Sequence, residues 1–180
     1  MPAVRERFGG RIGYASIPLD DVDWELFDII ASDGGYRDAT NAAAFPQSLA
    51  AAVGQGKPYA ATEFGCCTFR GAADVAGSGE PVKYDERGRP TELTADLERD
   101  EEGQARYIVD LLRDYEAGGV EAAFVYTFAN RHLPTTADPR HDYDLAARGI
   151  VRVLPDGSWT PKAAFHALAE YGRSRTKTPD

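Results

Sequence analysis

The sequence predicts an α/β fold built on a four-stranded parallel sheet, and three observations carry that prediction. Four short runs are apolar on both faces, as strands buried inside a parallel sheet are. Segments with helical periodicity lie between them, which makes the repeating unit a strand followed by a helix. Glycines or polar residues stop the runs, so each run is no longer than a typical strand or helix.

The first strand is expected over Arg11 to Ile17, where Ile12, Tyr14 and Ser16 alternate with Gly13, Ala15 and Ile17. Asp20 to Phe27 has room for only a turn or two of helix. The second strand, Phe27 to Asp33, runs through Ile29-Ile30-Ala31 and breaks at Gly34-Gly35. A helix over Phe45 to Val53 stops at Gly54, and the third strand covers Pro58 to Phe64. The clearest helix is Glu101 to Ala117: Tyr107, Ile108, Leu111, Leu112 and Tyr115 recur at helical spacing and Gly118 ends it. The fourth strand, Val120 to Phe128, follows Gly118-Gly119, and a last helix over Pro161 to Tyr171 begins on a proline suited to a first turn. Between the third strand and the long helix, residues 71–100 are rich in Gly, Pro and charge and read as a long rim loop, far longer than the roughly 2–6 residues usual there.

With 180 residues, 43% of them hydrophobic, the chain suits a single domain over residues 1–172 and a disordered tail over 173–180. A formal net charge of -9 with no Lys/Arg stripe argues against a nucleic-acid partner. No apolar stretch approaches the roughly 18 residues that span a bilayer, and the N-terminus lacks the apolar region of a signal peptide, so no membrane partner is expected and the expected location is the cytoplasm. Cys66 and Cys67 are adjacent and read as small, reduced, buried side chains. The cluster Asp138, Arg140, His141, Asp142 and Asp144 has one His among mixed charges, no metal-ligand pattern, and reads as a salt-bridged rim loop. His132 and His166 stand isolated in sequence, the latter on the last helix. Neither a metal nor a cofactor is expected.

The third strand ends in a lone carboxylate, Glu63, just before Phe64 and the break at Gly65. Two readings are open for it on the residues alone. Either it meets solvent or a nearby Arg, or it stands at the strand end where an α/β barrel places its active site.

Four blocks of the sequence resemble the C-terminal half of a clan A glycoside hydrolase, a family of retaining glycosidases on a TIM barrel, in its actinobacterial type. Lys57-Pro-Tyr-Ala-Ala-Thr-Glu-Phe-Gly65 resembles the family's seventh strand. Phe27-Asp-Ile-Ile-Ala-Ser-Asp33, followed by Tyr36-Arg37-Asp38, resembles the sixth, and Gly118-Gly-Val-Glu-Ala-Ala-Phe-Val-Tyr-Thr-Phe128 the eighth. Gly149-Ile-Val-Arg-Val-Leu-Pro-Asp-Gly157 and Pro161-Lys-Ala-Ala-Phe-His-Ala-Leu168 are similar to its closing turn and final helix. The resemblance implies a partial (β/α)8 TIM barrel with strands five to eight, and Glu63 as catalytic nucleophile. It further implies a carbohydrate ligand, with Tyr36 donating a hydrogen bond to Glu63, Asp33 binding a sugar hydroxyl, and Tyr126 and Phe128 forming an apolar platform for a sugar ring.

The family's acid/base is a Glu after Asn at the end of the fourth strand, and the chain contains no Asn-Glu pair. Asp74, Glu80 and Asp85 are the candidates left for the acid, on the long loop with no rigid strand to aim them. The expectation is therefore a glycosidase-like half-barrel, inactive alone, whose partners are a complementary N-terminal half or a second copy pairing through exposed strand edges. Its rivals are a non-catalytic carbohydrate-binding or regulatory pseudoenzyme and a truncated gene remnant.

Overall fold

Residues 2–17 and 20–176 are described by the computed structural model. After a one-turn helix α1 (Pro2–Arg5) come β1 (Gly13–Ser16), a 3-10 turn at Trp24–Leu26, β2 (Ile29–Ser32), α2 (Phe45–Val53) and β3 (Tyr59–Phe64). A rim insertion carrying β4 (Val82–Tyr84) and β5 (Pro90–Leu93) leads to α3 (Glu101–Ala117) and β6 (Ala122–Val125). A hairpin of β7 (Val151–Val153) and β8 (Trp159–Pro161) then delivers the chain to α4 (Ala163–Thr176).

The four expected strands form one sheet in the order β1-β2-β3-β6, every neighbouring pair parallel. Each strand is shorter than its apolar run, because pairing lasts only where both neighbours run alongside. Arg11, just before β1, pairs with Glu121, just before β6, so an ion pair joins the two outer strands at the N-terminal end of the sheet.

The core lies between this sheet and the helices. Ile30, Ala61 and Phe64 meet Phe45 and Leu49 of α2 and Tyr107, Ile108, Leu111 and Tyr115 of α3. These last four are among the residues whose spacing predicted α3, and Asp100 caps that helix by accepting from the Gly103 amide at 2.8 Å. The opposite face of the sheet is open: Phe124 on β6 is 57% exposed and Tyr14 on β1 45%. Both outer strands also present an unpaired edge.

Three expectations are corrected. The Asp20–Phe27 helix shrinks to the 3-10 turn at Trp24–Leu26, capped by Asp23. Residues 71–100 do not form a plain loop, because β4 and β5 pair antiparallel. Val82 and Leu93 of that hairpin pack on Leu133, Tyr143, Ala146 and Ala147, giving the insertion a small core of its own. The tail boundary also shifts: α4 runs to Thr176, and 177–180 lie outside the described residues.

Candidate functional site

Glu63 stands at the C-terminal end of β3, half-buried, and Oε2 accepts a hydrogen bond from the Tyr36 hydroxyl at 3.3 Å. The loop carrying Tyr36 is drawn against β3 by Gly35. A Cβ there would sit 2.5 Å from the Glu63 carbonyl oxygen and 2.6 Å from the Tyr115 hydroxyl, which itself donates to the Gly35 carbonyl. On the other side Gly65, at φ +147, lies where a Cβ would come within 2.7 Å of the Tyr126 carbonyl oxygen. Glycine on both flanks lets the neighbouring loops close on the carboxylate.

Burial pushes the Tyr36 phenol up, Arg148 pulls it down, and the Glu63 carboxylate pushes it up again. The net shift is upward, so Tyr36 keeps its proton and remains a donor to Glu63. Asp33, just past β2, accepts from Thr62 Oγ1 at 2.6 Å, which fixes it beside β3 one residue before Glu63. Tyr126 follows β6 with its amide bonded to the Phe64 carbonyl at 2.8 Å. Phe128 goes elsewhere: its ring meets Trp159 edge-on at 5.3 Å, against the β7–β8 hairpin. The structure therefore gathers Glu63, Tyr36, Asp33 and Tyr126 at one strand end and turns Phe128 toward Trp159.

Sequence reasoning missed the residue beneath this group. Arg148 is 8% exposed, with its guanidinium 5.6 Å from the Tyr36 ring centre and Nη2 donating to the carbonyls of Ala76 and Ser78. It thereby ties the rim insertion to the sheet. Its signal was legible as the single cation in Leu145-Ala-Ala-Arg-Gly-Ile150, since a charge inside so apolar a run needs a buried partner. Glu80, which nothing in sequence aims, is held in the same place. Its Oε2 accepts from the Tyr84 hydroxyl at 2.6 Å and lies 3.7 Å from His132 Nε2, and its Oε1 is 4.0 Å from Arg148 Nη1. His132 is thus not isolated, whereas His166 is exposed on α4. Asp85 serves its own hairpin turn, accepting from the amides of Arg87 and Arg89.

Behind the site lies a second charged group. Asp144, 1% exposed, takes Lys162 Nζ at 2.8 Å and Arg99 Nη1 at 2.6 Å. Arg99 also reaches Asp142 at 2.8 Å, Arg152 pairs with Glu101, and Lys162 donates to Thr68 Oγ1 at 2.7 Å. Burial drives the Lys162 ammonium below its usual range, and Asp144 opposes that shift. Asp142 and Asp144 of the acidic cluster therefore tie the loop after β3, the start of α3 and the β7–β8 hairpin together. Asp138 and His141 pair locally at 2.7 Å. Both cysteines are free and buried, and burial raises both thiols, Cys67 to about 11.

Ion pairing also sets the acid response. Burial pushes Glu101 up, but the hydrogen bond and charge of Arg152 outweigh it and leave the carboxyl below its ordinary 4.5. At the sheet edge, hydrogen bonds from Arg5 and the Ile12 amide hold Asp28 below 3.8. A carboxylate depressed in the folded state contributes stability above its unfolded pKa and loses it as pH falls through the folded one. Urea midpoints should thus decline progressively as pH falls below 4.5. A midpoint that rises on acidification would refute this assignment of the pairs.

Solved structures share this fold and this placing of the sheet. A GH113 β-1,4-mannanase in a complex superposes with a TM-score of 0.61 at 19% identity, over 97% of this chain and 49% of its own. The GH113 β-mannanase AaManA from Alicyclobacillus acidocaldarius, in complex with ManMIm, gives 0.58 at 14% identity over 96% and 48%. A β-glucuronidase from Ruminococcus gnavus gives 0.52 at 17% identity over 93% and 26%. No family model and no curated protein matches the sequence. The fold is a partial TIM barrel, similar to part of these solved structures. The chain spans about half the length of the mannanases it matches. Among the described residues no helix is long and apolar enough to cross a membrane.

Proposed function

We propose that this chain is the nucleophile-bearing half of a retaining clan A glycoside hydrolase of the actinobacterial type, working in the cytoplasm. The observation that carries this reading is the Tyr36 hydroxyl on Glu63 Oε2 at 3.3 Å, at the C-terminal end of a parallel barrel strand. A retaining glycosidase needs one carboxylate to attack the anomeric carbon and a second, about 5–5.5 Å away, to protonate the leaving oxygen. Glu63 attacks in this reading. Tyr36, kept protonated, steadies the ionised carboxylate and turns one oxygen away from the sugar. Asp33 and Tyr126 hold the sugar from the adjacent strand ends, and Phe128 with Trp159 extends an apolar surface beyond them.

The second carboxylate has to come from elsewhere. Among the four sheet strands only β2 and β3 end at a carboxylate, and Asp33 is already bonded to Thr62. The open edges of β1 and β6 and the bare face carrying Phe124 suit four further βα units, supplied by the same chain or another, which would bring the acid. A second copy would close the barrel as well, but its strand end Tyr126-Thr127-Phe128 offers no acid.

The 180-residue chain, assayed alone as monomer or oligomer on aryl glycosides with poor leaving groups, should show no Glu63-dependent turnover. Protonation of the leaving group is worth roughly 10²–10⁴ in rate, and it is missing. Turnover abolished by Glu63→Gln would show that an acid is present and overturn the half-site reading. Sugar binding without turnover after the barrel is completed would instead favour a carbohydrate-binding pseudoenzyme.

A further inference from the structure

The carboxylate–guanidinium pair on the rim insertion is not a closed salt bridge. Glu80 Oε1 and Arg148 Nη1 are 4.0 Å apart, beyond hydrogen-bond reach, although both groups are fixed. Glu80 is held by Tyr84 at 2.6 Å and its side chain is only 16% exposed. Arg148 is held by two backbone carbonyls and the Tyr36 ring, and its buried Nε has no partner. Two rigid charges that stop short of contact leave a place for a small group that both donates and accepts.

From this we infer that Glu80 and Arg148 form a hydroxyl clamp that anchors a carbohydrate beside Glu63, making Glu80 a specificity-determining residue of the site. A hydroxyl oxygen standing about 2 Å to one side of the line joining them lies about 2.8 Å from each, donating its proton to Glu80 Oε1 and accepting from Arg148 Nη1. An ammonium or a carboxylate lacks one of those two abilities, so the clamp takes a hydroxyl, and the carboxylates of Glu80 and Glu63 disfavour an anionic sugar around it. Tyr84 and His132, rings 6.3 Å apart and 32° from parallel, wall the clamp with faces on which sugar C–H groups can rest. The insertion that reads in sequence as a loose loop is thus the second wall of the ligand site. The inference rests on the carbohydrate reading of Glu63.

The test is an NMR titration of the chain with a neutral β-1,4-linked manno-oligosaccharide and, in parallel, with a charged aryl glucuronide. The wild-type chain should bind the neutral sugar more tightly, with amide shifts at residues 80–84 and 132. Glu80→Ala should weaken that binding roughly tenfold or more, because a hydrogen bond to a charged group is lost. Glu80→Gln should fall between, and it keeps the Tyr84 contact, so any collapse of the hairpin in the alanine variant is separated from loss of the clamp. Equal binding by wild type and both variants overturns the clamp while leaving the carbohydrate reading intact. Absence of wild-type binding to either sugar overturns both.

Discussion

Glu63→Gln, introduced after the barrel has been completed by four further βα units, is expected to abolish turnover of aryl glycosides while leaving the melting temperature unchanged. The amide has almost the shape of the carboxylate, still accepts the Tyr36 hydroxyl, and still packs between Gly35 and Gly65. What it lacks is the negative charge that, in the function proposed, attacks the anomeric carbon, so no covalent intermediate would form. Loss of a nucleophile costs on the order of 10⁴–10⁶ in kcat, the largest effect any single change in this chain should have. Tyr36→Phe offers a graded control: it removes one hydrogen bond from Glu63 and should lower kcat by far less. Steady-state kinetics on the two variants, with thermal melts beside them, check the assignment. If Glu63→Gln retained most of the activity, the nucleophile would lie elsewhere and the barrel end would need a new account.

Asp144→Ala should cause the largest loss of stability. Asp144 is almost fully buried and faces Lys162 at 2.8 Å and Arg99 at 2.6 Å, while Lys162 is itself 1% exposed. Removing the anion leaves the buried Lys162 ammonium without an anionic partner where water is largely excluded, while Arg99 keeps Asp142 and Glu101. Breaking a buried pair in this way typically costs about 3–5 kcal/mol. For a chain of this size that corresponds to a drop of roughly 6–20 °C in the melting temperature. Substituting both partners, Asp144→Leu with Lys162→Met, should cost much less, since the penalty comes from the uncompensated charge and not from absence of the pair. The comparison is a double-mutant cycle by urea or thermal unfolding. A single mutant no worse than the double would mean that the uncompensated Lys162 charge carries no penalty.

Helix α3 and the strands show how much of the fold was legible locally. Tyr107, Ile108, Leu111 and Tyr115 repeat at helical spacing, Asp100 caps them, and Gly118 stops them; all of these lie within one contiguous segment. The same holds for β2 and β3, whose short runs, apolar on both faces, marked them as strands of a buried parallel sheet. Their order followed from the alternation of strand and helix. The two hairpins were harder to read. β4 and β7 have three residues each, too few for alternation to stand out, and they persist because Val82 and Val151 find buried neighbours from distant segments.

The site divides in the same way. Glu63 was marked by its own sequence, a single charge ending an apolar strand before a glycine, and Tyr36 and Asp33 by their place on the neighbouring strand and loop. Glu80 stood only as a carboxylate with no strand to aim it and His132 as an isolated histidine, while Arg148 and Tyr84 were passed over, since what these four do comes from one another. Arg148 reaches back some seventy residues to the carbonyls of Ala76 and Ser78, and Asp144 meets Arg99 across a separation of 45. By itself the sequence determined the types of the main elements, the succession of the parallel strands and the carboxylate at the end of β3, because short-range periodicity and glycine breaks encode those. Only the tertiary structure decided that the rim insertion is tied to the buried Arg148, which stands over the Tyr36 that donates to that carboxylate. Such pairings depend on desolvation and on distances between remote segments, and neither exists until the chain has closed.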